Sequence, residues 1–322
     1  MIRKQLGFSM VELMVAMVIQ FILLAGMVFV YSNSRVMFTV NEQLSRVQEN
    51  GRYLTDALLH DIRMAGYLGC RSIDEVVPNN IIARSPPTFA SLADGITVFE
   101  NGEGWANPTE LTRVAGSDVI TLQSAQGRGV SLRANMITDT ATIQMIINPD
   151  RLAANDLILI SDCSHADLFR ASAVNGTTIA HDNIANTGNQ LSKAYADDAQ
   201  LMPFDAHTYF IATGANAEPG LYQHSFNSNT ATLLAEGVEN MQLLLDEDTS
   251  GDQEPDVYVD ATAVMDWEAV MGVRVGLLMR SANNVATEAR AFTFNGADAN
   301  TGNDTRVRKA FWSYAAMRNR IN

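Results

Sequence analysis

The sequence predicts an α+β protein in which one long N-terminal helix lies against a mainly antiparallel β head. Three observations point there. From Leu13 to Tyr31 every residue except Gln20 is apolar or glycine. From Leu44 onward apolar residues recur at helical spacing, and no proline interrupts the chain between Met1 and Val77. Beyond Cys70 short β-prone runs alternate with turn-rich stretches.

The apolar run comes first. Its roughly 19 residues would span about 28 Å as a helix, close to the hydrocarbon thickness of a bilayer. Arg3 and Lys4 precede it and Arg35 follows it. The earlier, nearer cations keep the N-terminus cytoplasmic and send the remainder across the inner membrane. The run is too long for the apolar part of an ordinary secretory signal, and no small-x-small cleavage site follows it. Glu12 sits at its start. A carboxylate there is costly in lipid and marks a functional position. Gln20 either hydrogen-bonds an adjacent helix or is a tolerated polar residue facing a bundle.

The stem continues past the membrane. Leu44, Val47, Leu54, Leu58 and Ile62 recur three, four or seven apart, while Glu42, Gln43, Arg46, Gln48, Glu49 and Arg52 lie largely elsewhere on the wheel. That pattern describes a helix resting one stripe on a globular domain, with Gly66 and Gly69 as terminators. Unbroken from Phe8 to about Ala65, it would run roughly 87 Å.

The head then reads as strands at Ile96–Glu100, Asp118–Gln123, Ile143–Ile147, Asp156–Ser161, Thr208–Ala212, Gly220–His224, Met241–Asp246, Val270–Met279 and Ala289–Phe294. Leu92–Thr112 and Asn175–Asp198 read as long inserted loops, and Arg306–Ile321 fits either a helix or a strand. The 322 residues are 47% hydrophobic and 18% charged, enough for a sizeable core. The net charge of −14 supplies no basic face for nucleic acid.

Enzyme motifs are missing: the sequence holds no nucleophile elbow, phosphate loop, dinucleotide fingerprint or paired-histidine metal motif. Asp162, Ser164, His165 and Asp167 bring triad residue types together. On a strand end neighbouring side chains alternate in direction, which predicts that they do not all converge. Asp246, Asp248 and Ser250 fall at the first, third and fifth positions of an EF-like loop, with Gly251 at the sixth. The twelfth position is Val257, so Asp252, Glu254 or Asp256 would have to supply the missing oxygens for Ca²⁺; the alternative is a solvated acidic turn.

Gly7-Phe8-Ser9-Met10-Val11-Glu12-Leu13 resembles the class III signal of type IV pilins and type II secretion pseudopilins, with Met10 and Val11 in place of the commoner Leu and Ile. The resemblance implies that residues 1–7 are a leader removed between Gly7 and Phe8 by prepilin peptidase, that Phe8 is N-methylated, and that Glu12 sets register between subunits. Gly51–Leu54, Asp61–Cys70, Ser161–Phe169, Gly272–Ser281, Arg306–Phe311 and Met317–Arg320 are similar to the PilW group of minor pilins. This implies a stem over 8–66, spanning the membrane at about 12–32, and a head over 67–322. It also implies a role in initiating type IV pili from a tip complex, with twitching motility and adhesion as outcomes. The partners would be other minor and major pilins and a tip adhesin. A J-type pseudopilin of type II secretion is the alternative; a signal-anchored periplasmic enzyme or carbohydrate-binding protein is a rival from another class. Export makes Cys70 and Cys163 an expected disulfide closing a loop of about 90 residues, worth roughly 4–5 kcal/mol in the chain-entropy model. Two buried thiols are the alternative.

Overall fold

The computed structural model describes residues 9–69, 76–82, 95–214, 217–252, 254–299 and 303–320. The stem is a single helix, Met10–Met64, of 55 residues. Its lower part touches no other element and is exposed throughout, as an apolar surface meant for lipid must be in an isolated chain. Burial starts at Gln43 and follows the expected stripe: Val47, Leu54, Leu58 and Ile62, joined by Gly51, Thr55 and Leu59.

The helix stops at Met64, one residue before the expected end. Ala65 already has an extended backbone (φ −55°, ψ 137°), and Gly66 and Gly69 adopt φ of +73° and +98°, conformations that favour glycine. The last carbonyls are not left bare. Arg318 N–H donates to Arg63 O at 3.3 Å, and Asn319 Nδ2 donates to Ala65 O at 3.0 Å. The tail of the chain therefore caps the stem.

The larger sheet has ten strands, organised by the 14-residue strand Gln200–Thr213. Its first residues pair antiparallel with Leu157–Ser161; the remainder pairs with Val119–Ala125 on one side and Pro219–Ser225 on the other. Thr230–Glu236 completes one end. At the other end Ala166–Arg170 takes the parallel partner Asn79–Asn80. A second, antiparallel sheet runs in the order Val257–Val259, Val238–Glu247, Val270–Arg280, Arg308–Ala316.

The segment left open between helix and strand is thus a strand along the stem. Its alternation decides the matter: Phe311 and Ala315 join the core against the stem, while Trp312 and Tyr314 lie on the opposite face. Gly276 and Gly272 on the neighbouring strand make room for those two rings; a Cβ at Gly276 would lie 2.6 Å from the Trp312 ring. Stem and both sheets share one core, in which Leu54, Leu58 and Ile62 meet Ile120, Ile211 and Leu221 from the large sheet and Val273, Val275 and Leu277 from the small one.

Two expected loops are more ordered than their composition suggests. Leu92–Thr112 contains the strand expected near its start, Ile96–Phe99, which pairs with Val119–Ala125. Asn175–Asp198 contributes Thr178–Ala180 to a three-stranded sheet with Ile143–Gln144 and Ala173–Asn175. The rest of that segment is tied to the buried Asp167 carboxylate, which accepts from Ser192 N–H and Oγ and from Tyr195 Oη. Ala166–Arg170 and Thr230–Glu236 are strands that the pattern of apolar residues did not reveal.

A Cβ on Gly51 would sit 2.4 Å from the Phe311 ring. Gly51→Ala is expected to destabilise the full chain in detergent by about 1–3 kcal/mol through overpacking. Phe311→Leu in the same chain should recover most of that loss; denaturant titration of the single and double variants checks it.

Candidate functional site

The residues singled out for assembly lie at the start of the stem. Gly7 and Phe8 fall outside the described residues. Ser9 is the helix N-cap: its Oγ accepts from Val11 N–H at 3.3 Å, and Glu12 Oε2 accepts from Ser9 N–H at 3.0 Å. Glu12 is therefore the third residue of a capping box, where a carboxylate satisfies an orphan amide and meets the positive end of the helix dipole. The Ser-x-x-Glu spacing carried this signal beside the more obvious charge. Above Glu12 the helix is long and apolar enough to cross a membrane, with a mean hydropathy of 2.7 in its most apolar window.

Two polar devices stand out, one joining stem to head and one closed within the head. Near the stem's distal end, Asp61 Oδ2 faces His207 Nδ1 at 3.2 Å, and His207 Nε2 faces Asp205 Oδ2 at 3.3 Å. Tyr209 Oη donates to Asp61 and Ser225 Oγ to Asp205. Burial alone would lower the His207 pKa, but the two carboxylates outweigh it and raise the imidazole to about 9. Burial likewise pushes the Asp61 and Asp205 carboxyls up, and the hydrogen bonds and charge of His207 bring them below their usual values.

At the other end of the head, three arginines and three carboxylates close a ring. Arg280 bridges Glu218 and Glu239, Arg308 bridges Glu239 and Asp304, and Arg306 bridges Asp304 and Glu218. The Arg308–Ala316 strand runs beside the stem, with Phe311 at Gly51 and residue 318 at Arg63. The ring consequently lies at the end of the head nearest the apolar run. Each member keeps its partners half-buried; removing one would leave a charge uncompensated.

Residues 208–319 match the family described as Type IV Pilus-assembly protein W. Residues 2–28 match the prokaryotic N-terminal methylation motif. These two matches support a PilW-type minor pilin. No curated protein and no solved structure matches it. All six members of the ring fall within the PilW match, whereas His207 lies one residue outside it. The match points to a structural component of the pilus rather than to an enzyme.

The other candidate residues of this PilW-type chain behave differently. Cys163 is disulfide-bonded at a φ of +68°; Cys70, the second cysteine of the sequence, lies outside the described residues. The four residues do not all converge, as expected, although Asp162, Ser164 and His165 do come together. Asp162 Oδ1 accepts from Ser164 Oγ at 2.8 Å and from His165 N–H at 2.8 Å, and Ser164 Oγ lies 3.1 Å from His165 Nδ1. The residues occupy a tight reversal between two strands, where side-chain alternation no longer applies. Asp167, back in the strand, points the other way into the tie with Ser192 and Tyr195. Burial would raise the Asp162 carboxyl, but Lys193 and Ser164 hold it low, so it serves as the anchor of a turn.

The acidic loop is divided. Asp246 is buried on its strand and accepts from Tyr314 Oη at 2.5 Å; burial, with the nearby charges of Asp248 and Asp256, pushes its pKa up. Asp256 accepts from Thr249 N–H and Ser250 N–H, Asp248 from Ser250 N–H and Gly251 N–H, and Asp252 from Glu254 N–H. Among the described residues no three acidic, His or Cys side chains converge as cation ligands. A cation here would have to displace these amide contacts.

Two measurements follow from this geometry. His207 is charged when its stabilisation is present, so that contribution is complete below pH 6.5 and is lost as pH rises through about 9. Denaturant stability of the full chain should fall by on the order of 3 kcal/mol between pH 7 and 10, and His207→Gln should flatten that dependence. Millimolar Ca²⁺ is expected to leave the melting temperature of the chain unchanged; a rise of several degrees would show that the loop rearranges round the ion.

Proposed function

We propose that this chain is a minor pilin that helps prime type IV pilus assembly within a tip complex, and so supports twitching motility and surface adhesion. The observation that carries the reading is Glu12 in the first turn of a 55-residue helix whose apolar lower part has no partner within the chain. Such a surface needs lipid before assembly and other apolar helices afterwards.

The sequence of events begins with insertion, N-terminus cytoplasmic and head periplasmic. Prepilin peptidase cuts between Gly7 and Phe8, and Phe8 is N-methylated. The freed amine of Phe8 is a cation near the membrane surface. Glu12 of an adjoining subunit neutralises it, removing two charges that would each cost several kcal/mol in lipid. In the isolated chain the Ser9 amide occupies one Glu12 oxygen, which leaves the other for that amine. The pair sets the axial register while the stems pack.

The Cys70–Cys163 disulfide belongs to this reading: it ties the end of the stem to the turn after Leu157–Ser161. The head then faces other minor pilins, the major pilin and a tip adhesin, first in the periplasm and later at the cell surface. Type II secretion would use the same stem; the match to a pilus-assembly family favours the pilus.

Glu12→Ala should leave membrane insertion unchanged and reduce incorporation into sheared filaments at least tenfold. Normal piliation in that variant would count against the Glu12–amine pair. Mass spectrometry of the mature chain should find an N-terminal methylated Phe8; a mature chain that retains Met1 would remove the reading.

A further inference from the structure

Between the stem and the lower end of the head lies a groove with a cavity volume of about 620 Å³. Val36, Met37, Val40 and Leu44 form its stem wall; Ala291 and Phe292, from the excursion joining the two long strands of the small sheet, form the facing wall. We propose that this groove holds one phospholipid drawn from the membrane that the stem crosses, with an aminated headgroup. The proposal rests on the membrane-anchored reading of the stem.

Position is the first argument. At 1.5 Å per residue, Val36 lies about 8 Å beyond Tyr31 and Leu44 about 20 Å beyond it, so the groove opens at the level of headgroups. One exposed polar turn, Ser32 to Arg35, separates the apolar run from the groove. A second, shallower groove on the bare helix runs from Ile22 past Gly26 to Ser34, next to Asn33 at the lower margin of the first. Between them and above, Met37 and Phe38 are 66% and 71% exposed although they lie outside the apolar run. An acyl chain entering the groove from hydrocarbon therefore passes that single polar turn before it meets Val36, Met37 and Val40.

Capacity is the second. The volume is about twenty times the roughly 30 Å³ share of one water in the liquid, room for a glycerol and the upper part of an acyl chain.

Charge chooses the headgroup. The ring of Arg280, Arg306 and Arg308 with Glu218, Glu239 and Asp304 is self-neutralised, so Arg306 and Arg308, although they line the roof, offer no spare cation. Arg290 does: it is exposed at the rim and forms no ion pair among the described residues. Its planar fork suits a phosphodiester. Glu288, exposed at the same rim, suits an ammonium. Together they fit a zwitterionic phosphate–amine headgroup better than a purely anionic one.

The full chain, reconstituted in nanodiscs of phosphatidylethanolamine and phosphatidylglycerol and released into mild detergent, is examined by native mass spectrometry. One bound phospholipid, mainly the ethanolamine species, is expected. Val40→Trp and Ala291→Trp, which fill the groove from opposite walls, should each cut occupancy at least fivefold. Arg290→Ala should lower it several-fold, and Glu288→Gln should shift the retained species toward the glycerol headgroup. A lipid-free wild type, or adducts that both tryptophan variants leave unchanged, overturns the proposal; a lipid-free groove that cross-links to a neighbouring stem through Val40→Cys would give the site to that helix instead. A chain that stays in solution without detergent would instead sink the anchored reading itself, a result separable from a membrane-bound but lipid-free one.

Discussion

Everything in the head is arranged around the burial of one helical stripe. Leu54, Leu58 and Ile62 are wholly enclosed, and each such side chain contributes about 1.5–3 kcal/mol on leaving water. The stripe is covered from two directions, by the inner faces of the large and the small sheet, and it completes the core that the two sheets share. The close approach that this demands is visible at Gly51, where the backbone of the helix takes the place of a side chain against Phe311. The stem thus enters the head as an element of that shared core.

Polar groups fix what the apolar stripe alone would leave free to slide. Asp61 reaches His207 and Tyr209 at the distal end, and the tail of the chain caps the last turn. At the opposite end the closed ring of arginines and carboxylates ties the start and finish of the small sheet to the loop before the Pro219–Ser225 strand. Both are buried enough that an unpaired member would be costly, and such groups specify a single arrangement more than they add to net stability. Asp61 and the capping tail therefore register the head on the distal end of the stem.

That registration matters because the other half of the stem has no partner in the chain. Its exposed apolar residues can be satisfied by lipid or by similar helices, and Glu12 places a carboxylate in the first turn of that surface. Because the head is fixed on the stem, a contact made at Glu12 would carry the head to a defined position relative to a neighbouring subunit.

The sequence by itself determined the stem: its apolar run, its prolonged amphipathic stripe and the residues of the processing motif are local, periodic signals, and helices report such signals one turn at a time. It likewise announced a β-rich head and most of its central strands. Several features were decided only by tertiary structure, because they depend on residues far apart in the chain. Arg308–Ala316 became a strand because Gly272 and Gly276 on another strand leave space for its aromatic rings. Asp162, Ser164 and His165 met because the chain reverses there, and the acids of the 246–256 loop turned to amides that only the folded loop presents. The ring that joins Glu218 to Asp304 unites six residues scattered over nearly ninety positions, and no local pattern encodes a contact whose partners are brought together by the sheet.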